Sequence, residues 1–423
     1  MNYRFVITMT ENNINSSKKR ILYVLHYSGG IEHAVKDMAN SVSDEYDFFI
    51  LKSDMNRLIL SQLNNNKFVD LQEFELTTPW HAKLIHSEEF KEKYSYILLN
   101  YKIDLIQIDH LLFHSLDLPD VANSLNIPTI LAFHDYYYIC PVFVLLDEDF
   151  NYCGGYCDNN EKKCSSNIEW FDLPENIVEW KKDWQKEMKK LFEKCDVIIT
   201  AMPFTKNMYL KHYSYLNEDD IQIVQYGRDI KRYYNLNSPP DLNHPIKILI
   251  PGAFFPHKGS LFIKELKKMD VENKLELHLL GFASDELKEI GISYGEYERD
   301  DFAKYVEKIK PAFIGLFSIW PETYSHTLTE SISVGVPVIA SEIGASNGRV
   351  KDYDCGWLVD TNDVEASYQK ILELSKDKKE YLRVKKQIDS LELRTACQMA
   401  SDYKKLYEKL LSQRAFCENS NEL

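Results

Sequence analysis

The sequence predicts an α/β protein made of two doubly wound domains, each a largely parallel sheet covered by helices on both faces. Three observations support this. The chain has 423 residues, which exceeds the size at which a single hydrophobic core usually stops growing. Apolar segments of strand length alternate with segments of helical period. The alternation restarts after a polar, proline-containing stretch, LNSPPDLNHP at residues 236–245, which is typical of a linker.

The first domain is predicted to begin with a strand, a glycine turn and a helix, since RILYVLHYSGG is followed by IEHAVKDMANSV. Further strands are predicted from short apolar runs at residues 47–51, 105–108, 129–133, 197–200 and 221–224. In the second domain, strands are predicted at 246–252, 274–280, 313–317 and 336–340. Helices are expected after Lys258, Arg299, Ser325 and Asp363.

These elements give the following predicted organisation. Residues 1–19 form a flexible leader, residues 20–232 the first domain, and residues 241–390 the second domain. A charged, helix-patterned segment at 391–413 is expected to pack across the domain junction, within a C-terminal helix and tail at 391–423. Ligands of such folds bind at the carboxyl ends of the strands, so the cleft between the domains is the expected site of chemistry.

Composition excludes several classes of function. The formal net charge of −15 argues against nucleic acid as a partner, because a polyphosphate requires a broad basic face. No apolar stretch approaches the ~20 residues that span a bilayer, and the N-terminus lacks a signal-peptide pattern, so a cytoplasmic location is expected. The lysine-rich helix at 180–190, with Trp180 and Trp184 four residues apart, allows at most peripheral contact with an anionic membrane surface. We favour the alternative, in which its apolar side packs on its own domain.

The segment PETYSHTLTE at residues 321–330 carries the strongest chemical signal. It lies between two predicted strands and places Glu322 and Glu330 on either side of a helix start near Ser325 or Thr327. Backbone N–H groups at a helix start favour an anion, whereas carboxylates accept hydrogen bonds from sugar hydroxyls. The loop can therefore hold a diphosphate and a sugar together. The alternative is that both glutamates are solvated charges at the ends of a helix.

Two glycine-containing loops could complete such a site. Lys258, in GAFFPHKG at residues 252–259, follows the first strand of the second domain and can neutralise a leaving diphosphate. Gly29 and Gly30 follow the first strand of the chain and allow a phosphate or sugar to approach the backbone. Each feature is also compatible with an ordinary surface lysine and an ordinary strand-to-helix turn.

The spacing from Glu322 to Glu330, followed by GVPVIA at 335–340 and by Ile343, Gly344, Ala345 and Arg349, resembles the E-x7-E signature of family 4 glycosyltransferases of the GT-B fold, closest to bacterial polysaccharide and O-antigen enzymes. The resemblance extends from Ile21 to about Asp360. It implies two Rossmann-like domains facing each other across a cleft. It also implies that the C-terminal domain binds a nucleotide diphosphate sugar.

The resemblance assigns a role to each candidate residue. Glu330 would bind the ribose and Glu322 the donor sugar, while the backbone of Ser325, His326, Thr327 and Leu328 would serve the sugar and the diphosphate. Lys258 would neutralise the diphosphate, Gly30 would reach the donor across the cleft, and the backbone near Glu296 and Tyr297 would contact the base. The arginine that often accompanies this lysine is missing, which leaves His257 or Arg228 as substitutes.

A histidine at the end of a first-domain strand completes the candidate site. His134, in FHDY at 133–136, would face the cleft near the anomeric centre, and the resemblance places such a histidine beside the donor sugar. Asp135 could act as a base towards the acceptor or orient His134, and we favour orientation. The alternative is a structural histidine. The predicted catalytic residues are thus His134, Lys258 and Glu322.

Four cysteines are spaced C-x12-C-x3-C-x6-C within an insertion at about residues 140–165: Cys140, Cys153, Cys157 and Cys164. Four thiolates can form a closed, structural zinc site, but free thiols and an incidental disulfide remain alternatives because the spacing is loose. No cofactor is expected to be required for catalysis.

The sequence thus predicts a retaining glycosyltransferase that uses a nucleotide diphosphate sugar and a saccharide or lipid-linked saccharide acceptor. Two other functions remain open. One is a nucleotide-sugar epimerase or hydrolase on the same fold, and the other is a non-catalytic subunit that binds a sugar nucleotide or a glycan.

Overall fold

A computed structural model describes residues 18–26, 31–156, 177–233, 242 and 245–421, with side chains described as far as residue 413. Residues 1–17 of the predicted leader, most of the linker, and the candidates Gly30, Cys157 and Cys164 lie outside the described residues. Lys19, the last residue of the predicted leader, already belongs to the first strand. The two-domain α/β architecture is confirmed, since two separate, mainly parallel sheets are each flanked by helices.

The first sheet has eight strands in the order β4-β3-β2-β1-β5-β6-β7-β8. Six of them are parallel, and each central strand is an apolar run buried on both faces, as expected when helices cover both sides. The strands are β1 Lys19–His26, β2 Tyr46–Ser53, β3 Arg57–Asn64, β4 Lys67–Glu75, β5 Leu105–Ile108, β6 Thr129–Phe133, β7 Val197–Thr200 and β8 Ile221–Ile223. The helices are α1 Ile31–Ser41, α2 Glu88–Asn100, α3 Leu118–Ser124, α4 Ile177–Lys194 and α5 Pro203–His212.

The second sheet has six parallel strands in the order β11-β10-β9-β12-β13-β14, the order of a dinucleotide-binding doubly wound domain. Its strands are β9 Ile246–Pro251, β10 Leu275–Leu280, β11 Ile292–Ser293, β12 Phe313–Leu316, β13 Val338–Ser341 and β14 Gly356–Val359. Its helices are α6 Ser260–Met269, α7 Asp285–Lys288, α8 Phe302–Ile309, α9 His326–Ser333, α10 Gly344–Tyr353, α11 Val364–Lys376 and α12 Lys378–Ser390. The chain reverses direction across the sheet between β9 and β12, which places a crevice at their carboxyl ends.

The last helix, α13 Ala396–Asn421, returns to the first domain and packs against α1. It contributes Met399, Tyr403 and Tyr407 to the apolar cluster beneath β1. The helix starts later than the predicted residue 391 because Thr395 and Gln398 form a reciprocal cap: the Gln398 N–H donates to Thr395 Oγ1 (3.2 Å) and the Thr395 N–H donates to Gln398 Oε1 (2.9 Å). Such a pair satisfies two donors that a helix start leaves open.

The predicted parallel arrangement does not extend to one edge of the first sheet. Strands β3 and β4 form an antiparallel hairpin joined by Asn65 and Asn66. Both residues have positive φ, 47° and 63°, as a two-residue hairpin turn requires. Asparagine tolerates this conformation better than most residues, so the asparagine run was the available sequence signal.

Helix α4 packs on its own domain. Trp184 and Met188 are buried in the main cluster of the first domain and Trp180 lies partly buried against it, which supports the packing alternative for this helix. None of the helices in the described part of the chain combines the length and the apolar character needed to cross a membrane.

Candidate functional site

The PETYSHTLTE segment forms the end of the loop after β12 and the first five residues of α9. Ser325 precedes the helix in a left-handed conformation, with φ of 65°, which is costly for a residue with a side chain. The buried Arg349 guanidinium stabilises this turn by donating to the carbonyl oxygens of Tyr324 (2.7 Å) and Ser325 (2.9 Å). The N–H groups of His326, Thr327 and Leu328 are the first of α9. They lie at the helix start and have no partner within the helix.

The Ile343-Gly344-Ala345 segment supports the same loop from behind. Gly344 has φ of 70°, and a Cβ atom there would lie 2.5 Å from the carbonyl carbon of Pro321. The Ala345 N–H donates to the carbonyl oxygen of Glu322 (2.7 Å). Only glycine allows this close approach, and the approach fixes the backbone that carries Glu322.

Lys258 and Glu322 form an ion pair at the start of the second domain's crevice. Ser318 also donates to Glu322 (2.7 Å), and Lys258 Nζ lies 5.4 Å from the ring centre of Trp320. Burial alone would raise the pKa of Glu322, but the charge and hydrogen bond of Lys258, with Ser318 and Ser325, hold it below its usual value. Glu322 is therefore an anion that neutralises the charge of Lys258.

His257 lies next to Lys258 and stacks on Phe255, with ring centres 5.7 Å apart. Burial, assisted by the positive charge of Lys258, lowers the pKa of His257 to about 4. The side chain is therefore neutral near pH 7 and offers a hydrogen bond rather than a second positive charge to a diphosphate. The guanidinium of Arg228, the other predicted substitute, bonds to Glu330 (3.3 Å).

Glu330 sits one turn inside α9 within a cluster of cations. It accepts hydrogen bonds from Arg228 (3.3 Å) and from the hydroxyl of Tyr297 (3.3 Å). Burial raises the pKa of Glu330 against the opposing charges of Arg228 and Arg299. Burial likewise lowers the pKa of Arg228. Both directions are those that burial of an ion pair produces, because burial disfavours the charged form of each group.

The first domain contributes two reciprocal histidine–aspartate pairs at the ends of neighbouring strands β5 and β6. His134 Nε2 bonds to Asp109 Oδ1 (2.7 Å), and His110 Nε2 bonds to Asp135 Oδ2 (2.9 Å). The prediction that Asp135 orients His134 is therefore wrong. The strand order places the aspartate of each strand beside the histidine of the other, so Asp109 orients His134.

The two domains meet at this point. The Tyr136 hydroxyl donates to the carbonyl oxygen of Pro321 (2.6 Å), and the Thr323 hydroxyl donates to the carbonyl oxygen of His134. A third contact joins Arg299 of the second domain to Asp37 of α1 (3.1 Å). His134 thus lies against the loop that carries Glu322, which in turn is paired with Lys258.

Several residues of this site were not predicted. Asp109 and Tyr226 bond to the two ring nitrogens of His134, and Arg299 and Ser318 support the glutamates. Asp109 had a usable signal, because it follows strand β5 directly. Arg299 and Tyr226 had none, since their contacts join distant parts of the chain.

Of the four cysteines, Cys140 is buried and Cys153 is half-buried, whereas Cys157 and Cys164 lie outside the described residues. Within the described residues, no group of three or more potential ligands is arranged to hold a metal ion. The zinc site stays a prediction.

Comparison with known proteins agrees with this geometry. Residues 239–391, the second domain, match the family model described as "Glycosyl transferases group 1". No curated protein matches the chain by sequence.

Solved structures of similar fold cover nearly the whole chain. A glycosyltransferase from Rickettsia africae shares 17% identity with a TM-score of 0.61, covering 94% of this chain and 99% of that one. Sucrose-phosphate synthase from Thermosynechococcus elongatus shares 15% with a TM-score of 0.65, covering 94% and 100%. HepE from Anabaena, in complex with UDP-glucose, shares 12% with a TM-score of 0.60, covering 92% and 99%. The fold is GT-B, with two Rossmann-like domains, and the family match of the second domain supports glycosyltransferase activity.

Proposed function

We propose that the chain is a retaining glycosyltransferase, which moves a hexosyl or deoxyhexosyl unit from a nucleotide diphosphate sugar to a saccharide acceptor, free or lipid-linked, in cell-surface polysaccharide synthesis. The single observation that carries the proposal is the Lys258–Glu322 ion pair at the mouth of the crevice, beside the N-terminus of α9 and opposite His134. Together these groups offer what a departing diphosphate and a sugar ring require.

The donor is proposed to bind mainly to the second domain. Its ribose hydroxyls donate to Glu330, replacing the long hydrogen bonds from Arg228 and Tyr297, both 3.3 Å. Its diphosphate accepts from the N–H groups of His326, Thr327 and Leu328 and from Lys258, with a further hydrogen bond from neutral His257. Its sugar hydroxyls donate to Glu322, which keeps its charge because its pKa is held low. Gly30 is proposed to approach the donor from the first domain.

Transfer is proposed to proceed on one face of the sugar. The bond from the anomeric carbon to the diphosphate oxygen breaks, and the acceptor oxygen forms a bond to the same carbon from the same side. The acceptor hydroxyl proton passes to the departing phosphate oxygen. Lys258 and the helix N-terminus stabilise the charge that develops on the diphosphate, a role in which fixed donors usually contribute a large part of catalysis. We assign this role to protein groups alone and propose no metal for it.

A non-catalytic subunit that binds a sugar nucleotide is the second candidate. The observation that favours it is the neutral state of His257, which leaves Lys258 as the cation paired with Glu322. A donor site without turnover would bind nucleotide sugars but release no nucleoside diphosphate. An epimerase or hydrolase is a third outcome, which the product of the reaction distinguishes.

A thermal-shift screen against UDP, GDP, TDP and their sugar conjugates tests the donor site. A ligand present at about 100 times its Kd stabilises the fold by about 2.7 kcal/mol, so one nucleotide class should raise the Tm. Glu330→Gln should reduce its affinity about 5- to 30-fold, since charged acceptors exceed neutral ones by roughly 1–2 kcal/mol. Glu342→Gln, at an exposed glutamate of the same domain, is the control. Equal shifts in all three proteins, or no shift with any nucleotide, would contradict the proposed site.

The stereochemistry is tested with the donor so identified. Slow hydrolysis of an α-linked nucleotide sugar should release the free sugar first as its α-anomer, observed by proton NMR before mutarotation. Release of the β-anomer would contradict retention. A sugar nucleotide with altered stereochemistry would instead indicate an epimerase, and absence of any product with bound donor would favour the non-catalytic subunit.

A further inference from the structure

A buried series of hydrogen bonds connects the last helix of the chain with His134. The Tyr407 hydroxyl of α13 bonds to Gln107 Oε1 (2.7 Å) and to the Tyr23 hydroxyl (2.8 Å). Gln107 Nε2 bonds to Asp109 Oδ1 (2.9 Å), the oxygen that also bonds to His134 Nε2 (2.7 Å). Each of these side chains is buried.

The chemistry of the groups sets the direction of every bond in the series. A carboxylate only accepts, so the amide nitrogen of Gln107 must face Asp109, and the amide oxygen then faces Tyr407. An amide oxygen also only accepts, so Tyr407 donates to it. The amide nitrogen then donates to Asp109. A carboxylate has no proton to give, so His134 Nε2 carries the proton that it shares with Asp109. His134 Nδ1 is left as an acceptor and receives the Tyr226 hydroxyl.

Asp109 depends on this series for its position. Its second oxygen, Oδ2, is buried and has no hydrogen-bond partner among the residues that the structure describes. Among the described residues, the carboxylate is therefore held through one oxygen, by Gln107 and by His134. A small cavity beside it is lined by Gln107, Asp109, His134, Tyr226 and Tyr403 together with apolar side chains of α1 and α13.

We propose that Gln107 and Tyr407 are positioning residues for His134. They hold Asp109 so that the His134 ring stays in the tautomer protonated at Nε2, with Nδ1 free to accept a hydroxyl from Tyr226 or from the donor sugar. Helix α13 thereby supports the donor site through His134. The series of hydrogen bonds includes neither Lys258 nor a residue of the 321–330 segment. The part of the proposal that concerns turnover depends on the proposed transferase function, whereas the part that concerns the proton does not.

The test is the tautomer of His134, measured on the full chain labelled with 15N-histidine. Long-range proton–nitrogen correlation distinguishes the two neutral tautomers, and His134→Gln assigns the signal among the 12 histidines. We expect a single Nε2-protonated form in the unsubstituted protein. Gln107→Leu should produce a second tautomer or a rotated ring. Tyr407→Phe should produce a smaller change, because the amide still bonds to Asp109. Tyr46→Phe is the control. The ring centres of Tyr46 and Tyr407 are 5.7 Å apart, and this substitution removes a hydroxyl that does not belong to the series.

Kinetics give a second measurement. Misplaced catalytic groups cost up to about 100-fold in rate, so Gln107→Leu should lower kcat about tenfold with the donor KM within about twofold.

An unchanged His134 spectrum in folded Gln107→Leu overturns the proposal, and so does an equal change in Tyr46→Phe. If Gln107→Leu does not fold, the comparison of Tyr407→Phe with Tyr46→Phe decides. An inactive unsubstituted protein with the expected spectra refutes the proposed function but not this inference.

Discussion

Replacing Glu330 by alanine should destabilise the protein mainly because it leaves the charge of Arg228 without its partner. The two side chains lie 3.3 Å apart, with 11% of Glu330 and 4% of Arg228 exposed. At an effective dielectric constant of about 20, their attraction is roughly 5 kcal/mol. Burial nevertheless raises the pKa of Glu330 and lowers that of Arg228. The cost of removing both charges from water therefore offsets most of the attraction.

It follows that the intact ion pair adds little to the free energy of unfolding, whereas one buried charge without its partner lowers it. Removing one partner of a buried pair typically costs about 3–5 kcal/mol. For a domain of this size each kcal/mol lowers the Tm by about 2 °C or more, so Glu330→Ala should melt at least about 6 °C below the unsubstituted protein. Adding Arg228→Met should restore at least half of that loss, because it removes the unpaired charge. The assay is differential scanning calorimetry of the two variants and the unsubstituted protein without nucleotide.

Two results would refute this reasoning. If Glu330→Ala melts within about 2 °C of the unsubstituted protein, Arg228 finds water or another partner, and the pair is not a buried one. If the double variant is no more stable than Glu330→Ala, the loss comes from the cavity and not from the charge. Either result would also mean that a loss of nucleotide affinity in Glu330→Gln cannot be attributed to the charge of Arg228.

Three further predictions concern the loops and the histidines. Lys258→Met should lower kcat about 10²- to 10³-fold, the usual cost of losing one group that stabilises developing charge, in an assay of nucleoside diphosphate release, while a nucleotide still raises the Tm. Gly344→Ala should lower the free energy of unfolding by more than about 1 kcal/mol and reduce activity, because its Cβ would meet Pro321; Gly348→Ala in the same helix, with no atom within 4 Å, should be neutral or stabilising. Burial lowers the pKa of His114 and of His257 to about 4 each, so the unfolded chain binds more protons, and urea unfolding should show stability falling from about pH 6.5 to about pH 4. A flat profile over that range would contradict the burial of both rings.

The sequence was sufficient to predict those parts of the fold that depend on local patterns. Strands β5, β6 and β7 were predicted at their observed bounds, because each is an apolar run buried on both faces and flanked by polar residues. Strand β13 was predicted two residues early, since Val336 and Pro337 continue the apolar run although they lie in the turn before the strand. Strand β14 and helix α12 were not predicted, because Gly356–Val359 is short and the repeated lysines of Lys378–Ser390 obscure its apolar face.

The candidate site was predictable where one short segment carries the chemistry. The spacing of Glu322 and Glu330, the position of Lys258 after a strand, and Gly344 are all local features. The partners of these residues are not local. Arg228 reaches Glu330 across 102 positions of sequence, and Asp109 reaches His134 across 25. Such pairs depend on strand order and on domain contact, which no single segment contains.

The return of α13 to the first domain also has a consequence during protein synthesis. Tyr23 and Tyr407, which bond in the finished core, are separated by 384 positions. At about 5–20 residues per second, ribosomes need roughly 20–80 s to make that stretch. Throughout this time one apolar face of the first sheet lacks the helix that covers it in the native protein. The nascent first domain should therefore bind chaperones that recognise exposed apolar surface, and it should be released only when the last helix emerges.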